Sequence, residues 1–231
     1  MTVEHLFADA GALADTLCEF AAGRLRDAIE TRGTAGLIVS GGKTPQALFE
    51  RLARVALPWR QVWLGLADER WVPAIDAASN ERFVREHLLV GEAAAANFIG
   101  MKNPAETAAA GAAAAWSAYG KLPRPFDLVL LGMGDDGHTA SLFPGYRGLS
   151  AALNPQASPG CVAFEAPVEP RSRLSLNVAA LIDARDVILC STGATKWRVF
   201  KKACEAGSEL DFPVRAILRQ NKAPVGFFWS P

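Results

Sequence analysis

The residues FDLVLLGMGDDGHTASLFP, numbered 126–144, join a buried strand to a cluster of polar side chains. The run 126–132 is almost wholly apolar and predicts a central strand of a sheet. It leads directly into glycines, two adjacent carboxylates and His138. The carboxyl end of a buried strand is where open α/β sheets place their ligands. The segment therefore predicts an α/β fold and a site where acid and imidazole groups transfer protons.

Helices and strands alternate on both sides of this segment. Apolar residues at helical spacing predict helices over 9–31, 45–55, 79–89, 105–119 and 194–205. Apolar runs predict strands over 37–39, 62–67, 161–165, 173–177, 186–190 and 225–229. Such alternation is typical of βαβ units, so we expect an α/β fold with a mostly parallel sheet and helices on both faces.

Composition argues against several classes of protein. Half of the 231 residues are apolar, and 24 Lys and Arg residues balance 24 Asp and Glu residues. We therefore expect a packed core and no affinity for nucleic acid or an anionic membrane surface. The first residues have no basic region, so no signal peptide is expected. Four cysteines without CxxC or zinc-like spacing favour a reducing, cytoplasmic location.

A glycine-containing turn, SGGKT, follows the strand predicted at 37–39. Its residues are Ser40, Gly41, Gly42, Lys43 and Thr44. Glycines let a ligand approach the backbone, and the free N–H groups of a helix start favour an anion. The spacing matches neither a P-loop nor GxGxxG. An anion site and an ordinary tight turn remain equal alternatives on this segment alone.

Three cations lie at other element ends. Arg70 belongs to a charged DER segment that closes a strand, Arg173 opens a strand, and Lys196 lies in the first turn of a helix. An arginine fork suits oxyanions, and a lysine that opposes the helix dipole is explained if an anion joins it. Simple solvation of these side chains, or a local ion pair, is the alternative.

The DDGH segment has the composition of a water-activating site. Two carboxylates beside one imidazole can hold its tautomer and raise its basicity. Backbone N–H groups around Gly134 and Gly137 can stabilise an oxyanion. The alternative is that Asp135, Asp136 and His138 serve only turn geometry. One histidine with an Asp pair is a thin ligand set, so we expect no metal.

Four blocks of the sequence resemble the 6-phosphogluconolactonase family, within the glucosamine/galactosamine-6-phosphate isomerase superfamily. They stand in family order: SGGKTPQALFERLA (40–53), ADERWVP (67–73) with SN at 79–80, LGMGDDGHTASLFPG (131–145), and SRLSLNVAALIDARDV (172–187) followed by TGATKW (192–197). The resemblance implies a modified Rossmann-like fold, shared with glucosamine-6-phosphate deaminase and ribose-5-phosphate isomerase, in a single domain over 1–231.

The resemblance also implies a reaction. It is the hydrolysis of 6-phospho-D-glucono-1,5-lactone to 6-phosphogluconate, the second step of the oxidative pentose phosphate pathway, with no metal or cofactor. We expect His138 to activate water, Asp135 to orient His138, and Arg70 to stabilise the oxyanion or hold the ring. We expect the phosphate to bind the 40–44 turn, Arg173 and Lys196. The expected partner is the small sugar-phosphate lactone, and the expected assembly is a monomer or weak homodimer.

Two alternatives stay open. An amino-sugar-6-phosphate deaminase or isomerase on the same fold typically carries an acid shortly after the histidine. Between His138 and Glu165 this sequence has no Asp or Glu, which argues against that alternative. A non-catalytic sugar-phosphate sensor would need a partner domain, for which the chain has no spare length or basic segment.

Overall fold

Seven parallel strands form the central sheet of the computed structural model, which describes residues 2–231. In spatial order they are β1 (Thr2–Leu6), β10 (Val225–Ser230), β9 (Val187–Thr192), β6 (Leu128–Leu131), β2 (Ala35–Val39), β3 (Val62–Leu66) and β5 (Asn97–Ile99). From β2 the chain adds strands first on one side and then, from β6 onward, on the other. This reversal between β2 and β6 is the topological switch point, where α/β sheets bind ligands.

A second, antiparallel sheet contains β4 (Asp68–Arg70), β8 (Ser172–Leu176) and β7 (Cys161–Glu165). The predicted mostly parallel sheet is confirmed, but the strands predicted at 161–165 and 173–177 lie outside it. The physical reason is the short connection between β7 and β8, since parallel strands need a crossover of about a dozen residues or more. The charged DER segment is itself a strand, which the sequence does not predict.

Helices cover both faces of the central sheet, as predicted. They are α1 (Ala10–Arg32), α2 (Gln46–Leu52), α3 (Asn80–His87), α4 (Ala108–Tyr119), α5 (Leu149–Leu153), α6 (Val178–Leu181), α7 (Ala194–Cys204) and α8 (Val214–Arg219). Phe227 of β10 stacks on Phe200 of α7, with 3.6 Å between the ring centroids. Phe228 packs against Phe20 of α1, with 6.0 Å between the ring centroids. Successive strand residues point to opposite faces, so α1 and α7 lie on opposite sides.

Local signals in the sequence mark the ends of α1. The Asp9 side chain accepts a hydrogen bond from the Ala12 N–H, which caps the start of the helix. Gly33 ends it with φ of 79°, the left-handed conformation in which glycine is favoured. Within residues 2–231, no helix has the length and apolar character needed to cross a membrane.

Candidate active site

A cavity of about 340 Å³ opens at the switch point, where β2, β6 and β9 end. The residues around it come from segments that are far apart in the sequence. The predicted site residues that line it are Ser40, Gly41, Gly42, Lys43, Thr44, Arg70, His138, Arg173 and Lys196. The cavity thus combines the imidazole with an anion-ready turn and several cations, and Asp135 is not part of its lining.

His138 follows β6 and is hydrogen-bonded to Asp136. Asp136 Oδ1 lies 2.6 Å from His138 Nδ1 and also accepts the His138 backbone N–H at 3.1 Å. Burial acts to raise the pKa of Asp136, but the hydrogen bonds and charge of His138 outweigh burial and hold this pKa below its ordinary value. An ionised carboxylate at Nδ1 favours the tautomer that keeps its proton there. Nε2 then carries the free lone pair and can act as a base.

The structure contradicts the prediction that Asp135 orients His138. Asp135 is largely exposed and forms an ion pair with Lys196, Oδ1 to Nζ 2.8 Å. Gly137 adopts φ of 77°, and this left-handed turn brings the imidazole back onto Asp136. Gly134 is also required, because a Cβ there would collide with the His138 ring. Backbone geometry at two glycines therefore selects the second carboxylate.

The 40–44 turn, which precedes α2 in the chain, forms one wall of the cavity. Ser40 is buried, and its hydroxyl has no hydrogen-bond partner in residues 2–231. Gly42 has φ of 111°, a conformation that side chains rarely adopt. At Gly41 a Cβ would collide with the Asn80 side chain. Both glycines thus serve the shape of this turn.

Arg70 and Arg173 lie side by side because β4 pairs with β8. The two residues are direct partners in the antiparallel register. Burial, and next the charge of Arg70, lower the pKa of Arg173 from its ordinary value. The Arg173 Nε donates to the Pro170 carbonyl at 2.7 Å, and Arg70 donates to the Ala78 carbonyl. The Arg70 Nε is buried and has no hydrogen-bond partner among the described residues.

A buried polar network completes the wall near Arg70. Ser141 donates to Asp68 Oδ2 at 2.6 Å, and the Asn80 side chain donates to the Asp68 carbonyl at 2.8 Å. Asp68, Asn80 and Ser141 all line the cavity. Ser79 is the cap of α3, but Asn80 also faces the site. The SN pair downstream of ADERWVP is the signal that indicates this role.

Glu69 is a buried carboxylate that supports this wall from behind. Oε1 accepts the backbone N–H groups of Arg70 and Asn80, each at 2.7 Å. Oε2 accepts the Glu81 N–H at 2.7 Å and the Ser79 hydroxyl at 2.9 Å. Burial raises the pKa of Glu69, and these four hydrogen bonds act against that rise. Glu69 therefore joins β4 to the start of α3.

The other reactive side chains are the cysteines and the potential metal ligands. No three His, Cys, Asp or Glu side chains within residues 2–231 are grouped closely enough to hold a metal ion. Cys190 lines the cavity, but burial raises its pKa to about 12. A thiol with that pKa is not a nucleophile at neutral pH. All four cysteines are free.

Comparisons with known proteins agree on one family. A family model described as glucosamine-6-phosphate isomerases/6-phosphogluconolactonase matches residues 8–225. The 6-phosphogluconolactonase of Rhizobium meliloti is 42% identical over 227 residues, which are 98% of each chain. That of Pseudomonas aeruginosa is 45% identical over 210 residues, covering 91% of this chain and 87% of the relative.

Solved structures agree with the sequence relatives. A crystal structure of a 6-phosphogluconolactonase from Shewanella baltica OS155 has a TM-score of 0.96 and 44% identity, covering 100% of this chain and 98% of that chain. A monomeric glucosamine-6-phosphate deaminase has a TM-score of 0.77 at 16% identity, covering 98% of this chain and 97% of the other. At that identity, the second likeness shows a shared fold and nothing about activity.

Proposed function

Because this chain belongs to the glucosamine-6-phosphate isomerase/6-phosphogluconolactonase family, we propose that it hydrolyses 6-phospho-D-glucono-1,5-lactone to 6-phospho-D-gluconate, with water activated by His138. The observation that carries the proposal is the Asp136–His138 pair beside a cavity lined by four cationic side chains. This reaction is the second step of the oxidative pentose phosphate pathway. The proposal includes a single domain over 1–231, a cytoplasmic location, and a monomer or weak homodimer.

In the proposed mechanism His138 acts first as a base and then as an acid. A water molecule attacks the lactone carbonyl carbon and gives a proton to Nε2 of His138. The ionised Asp136 stabilises the imidazolium that forms. The tetrahedral intermediate then expels the ring oxygen, which takes the proton from His138 and becomes the C5 hydroxyl. The new carboxylic acid releases its proton to solvent.

Arg70 is the proposed donor to the oxyanion of that intermediate. Its buried Nε has no partner in residues 2–231, and its guanidinium is fixed by the bond to the Ala78 carbonyl. A positioned donor of this kind stabilises charge that develops in the transition state without reorganising. The proposed roles of Arg70 and His138 thus cover the two needs of ester hydrolysis, a proton acceptor and an oxyanion donor.

Binding of the phosphate group is proposed to position the uncharged lactone ring. We assign it to the 40–44 turn, Arg173 and Lys196, all of which line the cavity. Binding energy from this remote dianion can hold the lactone against His138. Lys196 also contacts Asp135, so the phosphate would share this lysine with a carboxylate at the rim.

A rate assay on freshly prepared lactone tests the proposal, with the unaided hydrolysis subtracted. We expect the wild type to accelerate hydrolysis and His138→Ala to lower kcat by about 10²–10⁴-fold, the usual contribution of a general base. The variant should retain affinity for 6-phosphogluconate in calorimetry. His87→Ala is the matched control, because His87 pairs with Glu50 away from the cavity.

Each negative result has a distinct meaning. Unchanged turnover in His138→Ala would remove His138 from the mechanism. Release of ammonium from glucosamine 6-phosphate without lactone hydrolysis would replace the lactonase by a deaminase. A wild type that binds 6-phosphogluconate but turns over neither compound would indicate a sensor.

A further inference from the structure

Ser191 is a buried residue whose hydroxyl has no partner. It lies near the end of β9, is 2% exposed, and lines the cavity. Within residues 2–231, four buried side-chain atoms lack a hydrogen-bond partner: Ser40 Oγ, Arg70 Nε, Ser191 Oγ and Ser230 Oγ. An unpaired buried hydroxyl is unfavourable unless a ligand or water satisfies it. Three of these four residues line one cavity, which points to a polar ligand there.

The register of the sheet places Ser191 opposite the anion-ready turn. Val39 of β2 pairs with Leu130 of β6, so the next residues, Ser40 and Leu131, are level with each other. Leu131 in turn pairs with Leu189 of β9. Side chains that are in register, or two residues apart, share a face of a parallel sheet. Ser40 and Ser191 therefore stand on the same face, on either side of the end of β6.

The surroundings of Ser191 suit an anion. Two residues later, Gly193 is the N-cap residue of α7, and Lys196 in the first turn of that helix lines the same cavity. The N-terminus of a helix and a lysine both favour negative charge. Serine has one side-chain torsion with three staggered positions, so its hydroxyl can turn toward a ligand without movement of the backbone.

We propose that Ser191 is a further substrate-binding residue, whose hydroxyl donates to the phosphate of the substrate. It would hold the phosphate from β9, whereas the 40–44 turn holds it from β2. This inference rests on the proposed lactonase function and adds a ligand to the same site. No residue pattern in the sequence indicates it, because Ser191 only follows the strand predicted at 186–190.

The test compares Ser191→Ala with Ser230→Ala. Ser230 is the matched control: it is buried and unpartnered on the neighbouring strand β10, beside Thr192 in the register, but it does not line the cavity. Alanine removes an unpaired hydroxyl in both variants, so both should melt at the wild-type temperature or above it. Melting curves thus separate a folding defect from a binding defect.

Steady-state rates on two lactones give the decisive readout. For the phosphorylated lactone, Ser191→Ala should raise KM about tenfold or more, as expected for loss of a hydrogen bond to a charged group, and change kcat by less than about threefold. On unphosphorylated D-glucono-1,5-lactone, kcat/KM should match the wild type. Ser230→Ala should match the wild type on both.

Three outcomes would overturn the assignment: an unchanged KM in Ser191→Ala, equal losses on both lactones, or an equal loss in Ser230→Ala. If the wild type does not accelerate lactone hydrolysis, the proposed function fails and the assignment is judged by calorimetry with 6-phosphogluconate. About tenfold weaker binding by Ser191→Ala would then support it, and unchanged binding would overturn it.

Discussion

Replacing Glu69 by glutamine should destabilise the protein strongly, although the two side chains have nearly the same shape. The first backbone N–H groups of a helix have no intrahelical partner. In α3 two of them, from Asn80 and Glu81, are satisfied by the two oxygens of Glu69. Each oxygen also accepts a second hydrogen bond, so the carboxylate faces donors on both sides.

The expected cost follows from this arrangement. The amide NH2 of glutamine replaces one acceptor by a donor and leaves at least one buried N–H unsatisfied. Each such group costs about 1–3 kcal/mol, and the hydrogen bonds that remain lose their charge assistance. We therefore expect a loss of about 2–4 kcal/mol in the free energy of unfolding. For a chain of this length that corresponds to a fall in Tm of roughly 5–15 °C.

The pH dependence of this loss has a definite sign. The raised pKa of Glu69 means that the folded state binds this proton more tightly than the unfolded state. Ionised Glu69 therefore makes folding less favourable as pH rises above the ordinary glutamate pKa and through the raised native value. Glutamine does not titrate. The stability deficit of Glu69→Gln should thus be smaller at about pH 8 than at about pH 5.

Thermal and urea unfolding, followed by circular dichroism, measure these quantities. Glu86→Gln is the control, because Glu86 forms an exposed pair with Arg82 on the same helix. Exposed pairs contribute about 0–1 kcal/mol. A Tm for Glu69→Gln within about 2 °C of this control would refute the capping role of Glu69.

Two further predictions concern the catalytic groups. Asp136→Asn should lower kcat by about 10–100-fold, because the imidazolium loses its charged partner. Asp135→Asn is the control: it makes the same charge change at the ion pair with Lys196 and should alter kcat by less than about threefold. Equal losses of initial rate in the two variants would contradict the assignment of Asp136. Arg70→Lys should lower kcat about tenfold or more while melting near the wild type, because it keeps the charge but lacks the fork that reaches both the Ala78 carbonyl and the site. An unchanged kcat would exclude Arg70 from the transition state.

The sequence predicts the buried parts of the fold well, and physical reasons explain what it misses. All five residues of β2 are buried, so the strand reads as an apolar run. In β1, by contrast, His5 and Leu6 are exposed at the sheet edge, and neither periodicity nor burial indicates a strand. The segment 68–70 is charged throughout, and its strand forms only because β8 pairs with it.

The candidate site was predictable to the level of segments but not of atoms. Residues at the carboxyl ends of parallel strands converge, which is why the 40–44 turn and His138 meet in one cavity. The choice between Asp135 and Asp136 depends on a left-handed glycine and a close backbone approach. Neighbouring residues of the same type give no sequence signal for such a choice.

The second sheet explains how two arginines can stand together beside the cavity. Backbone hydrogen bonds between β4 and β8 fix Arg70 opposite Arg173, although their like charges repel. The buried carboxylates of Asp68 and Glu69, in the same strand as Arg70, offset part of this repulsion. The two guanidinium groups are therefore positioned before the substrate binds, and an anion can bind beside them without rearrangement of the site. In the proposed reaction, negative charge develops on the lactone oxygen beside Arg70. This charge is absent from the uncharged lactone group, so its attraction to Arg70 favours the transition state over the bound substrate.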